Sequence, residues 1–142
     1  MSRAAVFTAL TTDPTLNLLE ITADTVFPNW SSRTRPSDKP FLILRWQEET
    51  REVNLNGPRV LEVWAHIPME LSTDYGRLDE ILHFVGKAMM ALEQKPGADG
   101  FTVTTVKDQG KSPDFYDSTY NTISRNAVFG VLSHETLASE IQ

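Results

Sequence analysis

The sequence predicts an α+β fold: one domain over residues 1–142, with a mixed, mostly antiparallel sheet of four to five strands and two helices packed on one face. Three observations carry this. The length, 142 residues, is that of one ordinary domain. Leu, Ile, Val and Phe supply 37 of the 142 residues, about 26%, above the roughly 20% below which chains stay disordered. The element order α-β-β-β-α-β-β describes helices on one side of a largely antiparallel sheet.

Ser2 can cap a short helix running through Leu10, favoured by Ala4, Ala5, Val6, Ala9 and Leu10. Asp13-Pro14 stops it and allows a short restart over Thr15–Glu20, since Asp caps and Pro suits the first helical position. Val26-Phe27-Pro28 reads as a brief strand ended by proline. Residues 29–40, NWSSRTRPSDKP, are a loop, locally basic through Arg33, Arg35 and Lys39 against Asp38. Phe41–Glu49 is a strand whose start, FLIL, implies burial on both faces and an interior position. Asn56-Gly57-Pro58 marks a turn, and 50–57 is the tip of a long hairpin. Arg59–Ile67 then alternates: Leu61, Val63, Ala65 and Ile67 share one face, and Glu62, Trp64 and His66 the other.

Pro68 ends that strand, and Ser72, Thr73 or Asp74 caps a helix over Tyr75–Glu93. Leu78, Ile81, Leu82, Val85, Ala88, Met89 and Leu92 recur at spacings of three and four, one apolar stripe. Phe101–Lys107 is a strand of β-branched residues. Asp108–Ser118 reads as a polar loop. Tyr120–Ser133 is the final strand, with Ile123, Ala127, Phe129 and Val131 on one side, and 134–142 adds a last helical turn.

Composition excludes several functions. There are no cysteines, hence no disulfides, thiolate zinc sites or cysteine nucleophile. Apolar runs stop at four residues, too short to span a bilayer. Met1–Val6 lacks the apolar core of a signal peptide, so the expectation is a soluble protein made in a cytoplasm. A net charge of −6 opposes a domain that grips phosphates.

The motifs are weak. Gly110-Lys111-Ser112 lacks the partner glycine of a phosphate loop, since Thr105 stands there, and Pro113 follows where a helix should start. Glu80-x-x-His83 has metal-ligand spacing but offers one helix where a di-iron bundle needs several. The three histidines, His66, His83 and His134, fall in different elements, and no Gly-x-Ser-x-Gly elbow presents a serine. Asn29-Trp30-Ser31 is a sequon without a secretory route. Trp30, Trp46 and Trp64 could form a stacking platform for bases, but two of them lie in strands, where core packing or a subunit contact is the better reading. The sheet face opposite the helices carries Glu62, Trp64 and His66 with Tyr120, Thr122, Asn126 and Val128. Aromatics on a mixed face mark either a partner surface or an ordinary solvated sheet face.

Several stretches together resemble the tail terminator proteins of long, non-contractile-tailed bacteriophages, especially the actinobacterial (mycobacterial) type. They are Ala4–Leu10, Thr25–Pro28, Lys39–Trp46, Arg59–Trp64 leading into Asp74–Leu92, and Asn121–Leu132. The resemblance covers nearly the whole chain and rests on element order and texture. It implies a virion structural protein, not an enzyme, with no cofactor, metal or catalytic residue. Such proteins form a ring, a homohexamer, that caps the tail tube, stops its polymerisation and joins the head connector. The implied partners are further copies of the chain, the major tail tube protein and the head–tail connector or stopper protein. DNA passes through the bore without specific binding, and no membrane is involved. The implied location is the head-proximal end of the virion tail, and the host cytoplasm during assembly. A head–tail connector or minor tail protein is the neighbouring reading, and a small cytosolic ligand-binding module the reading from another class.

On that footing Glu48, Glu49 and Glu52, at the end of the hairpin, are expected to line the bore or face the tube, where negative charge avoids trapping DNA. A cyclic ring joins two different patches. The basic loop with Arg33, Arg35 and Lys39 is expected to meet the acidic segment with Asp108, Asp114 and Asp117 on the next copy.

Overall fold

The computed structural model describes residues 3–28, 34–47, 51–52, 55–56, 59–95 and 100–135. Helix α1 (Arg3–Thr12) turns Ala5, Val6 and Leu10 inward. It runs two residues past the expected end. In its last turn the hydroxyls of Thr11 and Thr12 donate to the carbonyls of Phe7 (2.7 Å) and Thr8 (2.6 Å). Asp13 then caps α2 (Pro14–Leu18), accepting the Leu16 N–H at 2.9 Å, with Pro14 at the first helical position. The following turn closes on buried Thr25, whose hydroxyl donates to the Glu20 carbonyl (2.9 Å) and accepts the Thr22 N–H (2.8 Å).

The chain enters the sheet at β1 (Val26–Pro28), which pairs in parallel with β2 (Phe41–Trp46). Phe41–Leu44 are all buried, as an interior strand requires. Strand β2 ends at Trp46, and the expected extension over Glu48 and Glu49 lies outside the described residues. Between β2 and its antiparallel partner β5 (Arg59–Pro68), β3 (Arg51–Glu52) and β4 (Leu55–Asn56) form a separate two-stranded ribbon.

Helix α3 (Tyr75–Met90) starts at Asp74, whose carboxylate accepts the Gly76 N–H at 2.8 Å. Its stripe is buried as expected, with Leu78, Leu82, Val85 and Met89 fully enclosed. Each such side chain contributes about 1.5–3 kcal/mol of transfer free energy. The helix stops three residues short of Glu93, because the chain must turn onto the sheet. Gln94 adopts φ 65° and its N–H donates to the Val103 carbonyl at 2.7 Å.

The remaining strands are β6 (Phe101–Lys111), β7 (Phe115–Asp117) and β8 (Thr122–Glu135). The six-stranded sheet has the order β1-β2-β5-β8-β6, with β7 also against β8. The ladder of β5 with β8 runs from Arg59↔Val131 to Pro68↔Thr122. Residues 108–118, expected as a loop, prove to be mostly strand. β6 pairs with Ala127–Glu135 of β8 and β7 with Thr122–Ser124, so 101–117 is one interrupted edge strand. The segment is polar because its side chains are nearly all exposed; backbone pairing, not an apolar face, holds it. His134 and Glu135 belong to β8 instead of a helical turn, and 136–142 lie outside the described residues. Among the described residues the main sheet has six strands where four to five were expected, and there are three helices where two were.

Odd-numbered positions of β5 and β8 (Leu61, Val63, Ala65, Ile67, Ile123, Ala127, Phe129, Val131) join the helices in the main core. Phe27, Phe41 and Ile43, with Trp64 against them, form a second cluster. Leu82→Ala should cost about 2–5 kcal/mol in urea unfolding, whereas Phe7→Ala, at a residue 36% exposed, should stay within about 0.5 kcal/mol.

Candidate assembly surface

The sheet face away from the helices divides in two. Register places Phe27, Ile43 and Trp64 in one row and Phe41, His66 and Ser124 in the next. Phe41 stacks on the His66 imidazole (centroids 4.9 Å apart, planes within 4°), and Tyr120 meets both rings edge-on at 5.8 and 5.6 Å. Arg35 lies over Phe27 at 4.4 Å and reaches Tyr120 at 5.9 Å. Phe115 tilts over Trp64 at 5.9 Å. The half of this face expected to be open is therefore roofed by the chain's own Arg35, Tyr120 and Phe115. The other half carries Glu62, whose carboxylate accepts from Gln47 (3.3 Å) and Asn126 (3.4 Å) and lies 3.8 Å from Arg45.

His66 shares a 2.8 Å hydrogen bond through Nδ1 with the Thr122 hydroxyl. Burial pushes its pKa from 6.5 down to about 4; Asp117 opposes that shift and Arg35 adds to it. At neutral pH the ring is uncharged, a packing element.

The predicted site residues have these places. Arg35 is half-buried over its own sheet, Lys39 is exposed, and Arg33 lies outside the described residues. The Asp108 carboxylate accepts the Gly110 N–H at 2.9 Å, where Gly110 has φ 105°. Asp114 lies 3.9 Å from Arg125 Nε. Asp117 accepts the N–H groups of Thr119 (2.8 Å) and Tyr120 (3.3 Å), closing the turn into β8. Within one chain, Arg35 and Asp117 both reach the surroundings of His66. Glu52 sits in the β3–β4 ribbon; Glu48 and Glu49 lie outside the described residues. Of the motif residues, His83 packs on Phe84 at 5.2 Å and His134 Nδ1 bonds the Thr104 hydroxyl at 2.6 Å, both far in sequence from His66. Asn29, Trp30 and Ser31 lie outside the described residues. Among the described residues, no helix is long and apolar enough to cross a membrane.

Arg125 is the residue that pattern reading misses. Its guanidinium bonds Asp79 of α3 through Nη1, donates from Nε to the Ser112 carbonyl at 2.7 Å and lies beside Asp114. Tyr75 of α3 donates its hydroxyl to the Phe115 carbonyl at 2.9 Å. Together they pin the 112–115 jog to the start of α3. Beyond it the end of the sheet is aromatic and exposed: Tyr116 at 56%, Phe115 at 43%, with Leu71 at 41% on the β5–α3 connection. At the other end of α3 a groove of about 500 Å³ opens between α1 and α3, lined by Ala5, Ala9, Ala88, Ala91, Leu92 and Lys95 among others.

No protein-family model matches the sequence, and no curated protein matches it. A solved structure does. The fold is shared with a chain in a structure described as "Virion of native gene transfer agent (GTA) particle". The match covers 94% of this chain and 100% of that one, with a TM-score of 0.58 and 11% identity. At this identity the likeness shows a shared fold over the length of the virion chain.

A histidine whose pKa is lowered on folding takes up a proton more readily when unfolded. Its contribution is therefore complete above about pH 6.5 and is lost as pH falls toward 4, about 3 kcal/mol in all. Urea titrations from pH 7 to pH 4 should show that slope, and His66→Gln should flatten it. Arg125→Gln should leave the main core folded while accelerating amide exchange in residues 112–117.

Proposed function

We propose that this chain is a virion structural protein, and that it acts as the tail terminator: a ring, six-fold in the resembled family, that caps the tail tube, ends its growth and receives the head connector. The observation that carries the virion structural reading is the match along the full length of a chain from a virion particle; the tail-terminator role within it is supported by the sequence resemblance. The histidines do not converge: each sits in its own packing environment.

In this reading the β3–β4 ribbon, set apart from the main sheet, is the part that meets the tube, and Glu48, Glu49 and Glu52 supply negative charge there or along the bore. Six copies multiply a net charge of −6, and a lining of that sign lets DNA pass without tight phosphate contacts. The acidic segment with Asp108, Asp114 and Asp117 serves as one half of the contact between copies.

Deleting the gene from its virus should give tails longer than normal, seen by electron microscopy. Tails of normal length left unjoined to heads would assign the connector role instead, and intact particles would end the structural reading. Reversing Glu48, Glu49 and Glu52 to Lys together should lower infectious yield and slow DNA ejection.

A further inference from the structure

On the helix side of the sheet, a cleft of about 360 Å³ opens between α3 and the second half of β6. His83, Gly86, Lys87 and Met90 form one wall, a single stripe of the helix because positions three and four apart share a face. Asp108 and Lys111 form the other wall, over a floor of Leu82 and Phe129. That second wall depends on an irregularity. In an unbroken strand, residues three apart point to opposite faces. Here Asp108 stands opposite Phe129 and Lys111 opposite Ala127, so β6 carries one extra residue between the two pairs. The bulge, with Gly110 at φ 105°, turns both side chains to the core face that Ala127 and Phe129 share.

Charge in the cleft is unbalanced. Among the described residues, neither Lys87 nor Lys111 takes part in an ion pair. Lys87 rests over Phe84 at 5.7 Å. The carboxylate of the lining, Asp108, accepts the Gly110 N–H at 2.9 Å. Two ammonium groups thus share the cleft with one carboxylate that backbone already engages. Gly86 adds room. Glycine is among the poorest formers of helix interiors, yet a Cβ at position 86 would meet nothing within 4 Å. Neither a positive φ nor a close neighbour calls for glycine there, and the missing side chain leaves the cleft deeper. Met90, 46% exposed, adds a flexible apolar side chain that adapts to what it covers.

We propose that this cleft binds a small organic phosphate. Its oxyanion sits between Lys87 and Lys111 beside the His83 ring, and its apolar body lies over Gly86 against Leu82, Phe129 and Met90. The volume falls in the roughly 300–1,000 Å³ range of small-ligand sites. A net charge of −6 opposes a long polyanion, but not one small anion at a local pair of lysines. The inference stands apart from the tail-terminator reading.

Phenyl phosphate is the probe, titrated into isotope-labelled protein in phosphate-free buffer at constant ionic strength and followed by NMR. The amides of Gly86, Lys87 and residues 108–111 should shift together and saturate, and inorganic phosphate should bind several-fold more weakly. Lys87, Lys107, Asp108 and Lys111 are all exposed, so their variants should fold. Lys87→Glu and Lys111→Glu should each weaken binding about tenfold or more. Asp108→Asn should tighten it, and Gly86→Leu should abolish it by filling the cleft. Lys107→Glu makes the same charge change on the opposite face of β6 and should leave affinity unchanged. Shifts that never saturate, equal affinity for the two phosphates, or a Lys107→Glu loss matching that of Lys111→Glu would overturn the proposal. Tighter binding of a single-stranded oligodeoxynucleotide at the same residues would replace it with a strand-binding edge.

Discussion

The alternation of side chains along the β5–β8 ladder is the constraint from which the rest of the molecule follows. Ten paired residues commit Leu61, Val63, Ala65 and Ile67, with their partners in β8, to one face and Glu62, Trp64 and His66 to the other. A face that apolar cannot be left in water, so α1, α2 and α3 all collect on it. The opposite face is mixed and receives a mixed cover. Phe41 and Tyr120 enclose a neutral imidazole, Arg35 lies across aromatic rings, and Phe115 leans on Trp64.

The edges of the sheet are managed with the same economy of residues. Strand β1 is three residues long and ends in proline. At the other edge, the Glu93 carboxylate takes the Val106 N–H at 3.0 Å, and Gln94 and Lys95 pair with Val103. Register shifts between Val103 and Thr105 and between Asp108 and Lys111 break the line of the edge strand further. Bulges and a covered edge discourage growth by adding strands.

Arg125 links these two themes. It sits in β8, yet its partners are Asp79 on α3 and the 112–114 jog of the edge strand, so the helix layer fixes where the exposed aromatic end stands. A surface held this way keeps one shape.

Local pattern alone determined much of this protein. The 3.6-residue stripe of α3, the two-residue alternation of β5, the interior position of Phe41–Leu44 and the Asp13-Pro14 restart all follow from side-chain chemistry within a few residues. Tertiary structure decided what polar sequence could not announce. Asp108–Lys111 became strand because β8 offered a partner backbone, although neither of its faces is apolar. Tyr120 and Arg35 became a roof because register placed Phe41 and His66 side by side beneath them. Arg125 found Asp79 across 46 positions of sequence. Periodicity reports how one segment meets an interface; which segments meet depends on chain crossings and strand register, which bring together residues that no local pattern connects.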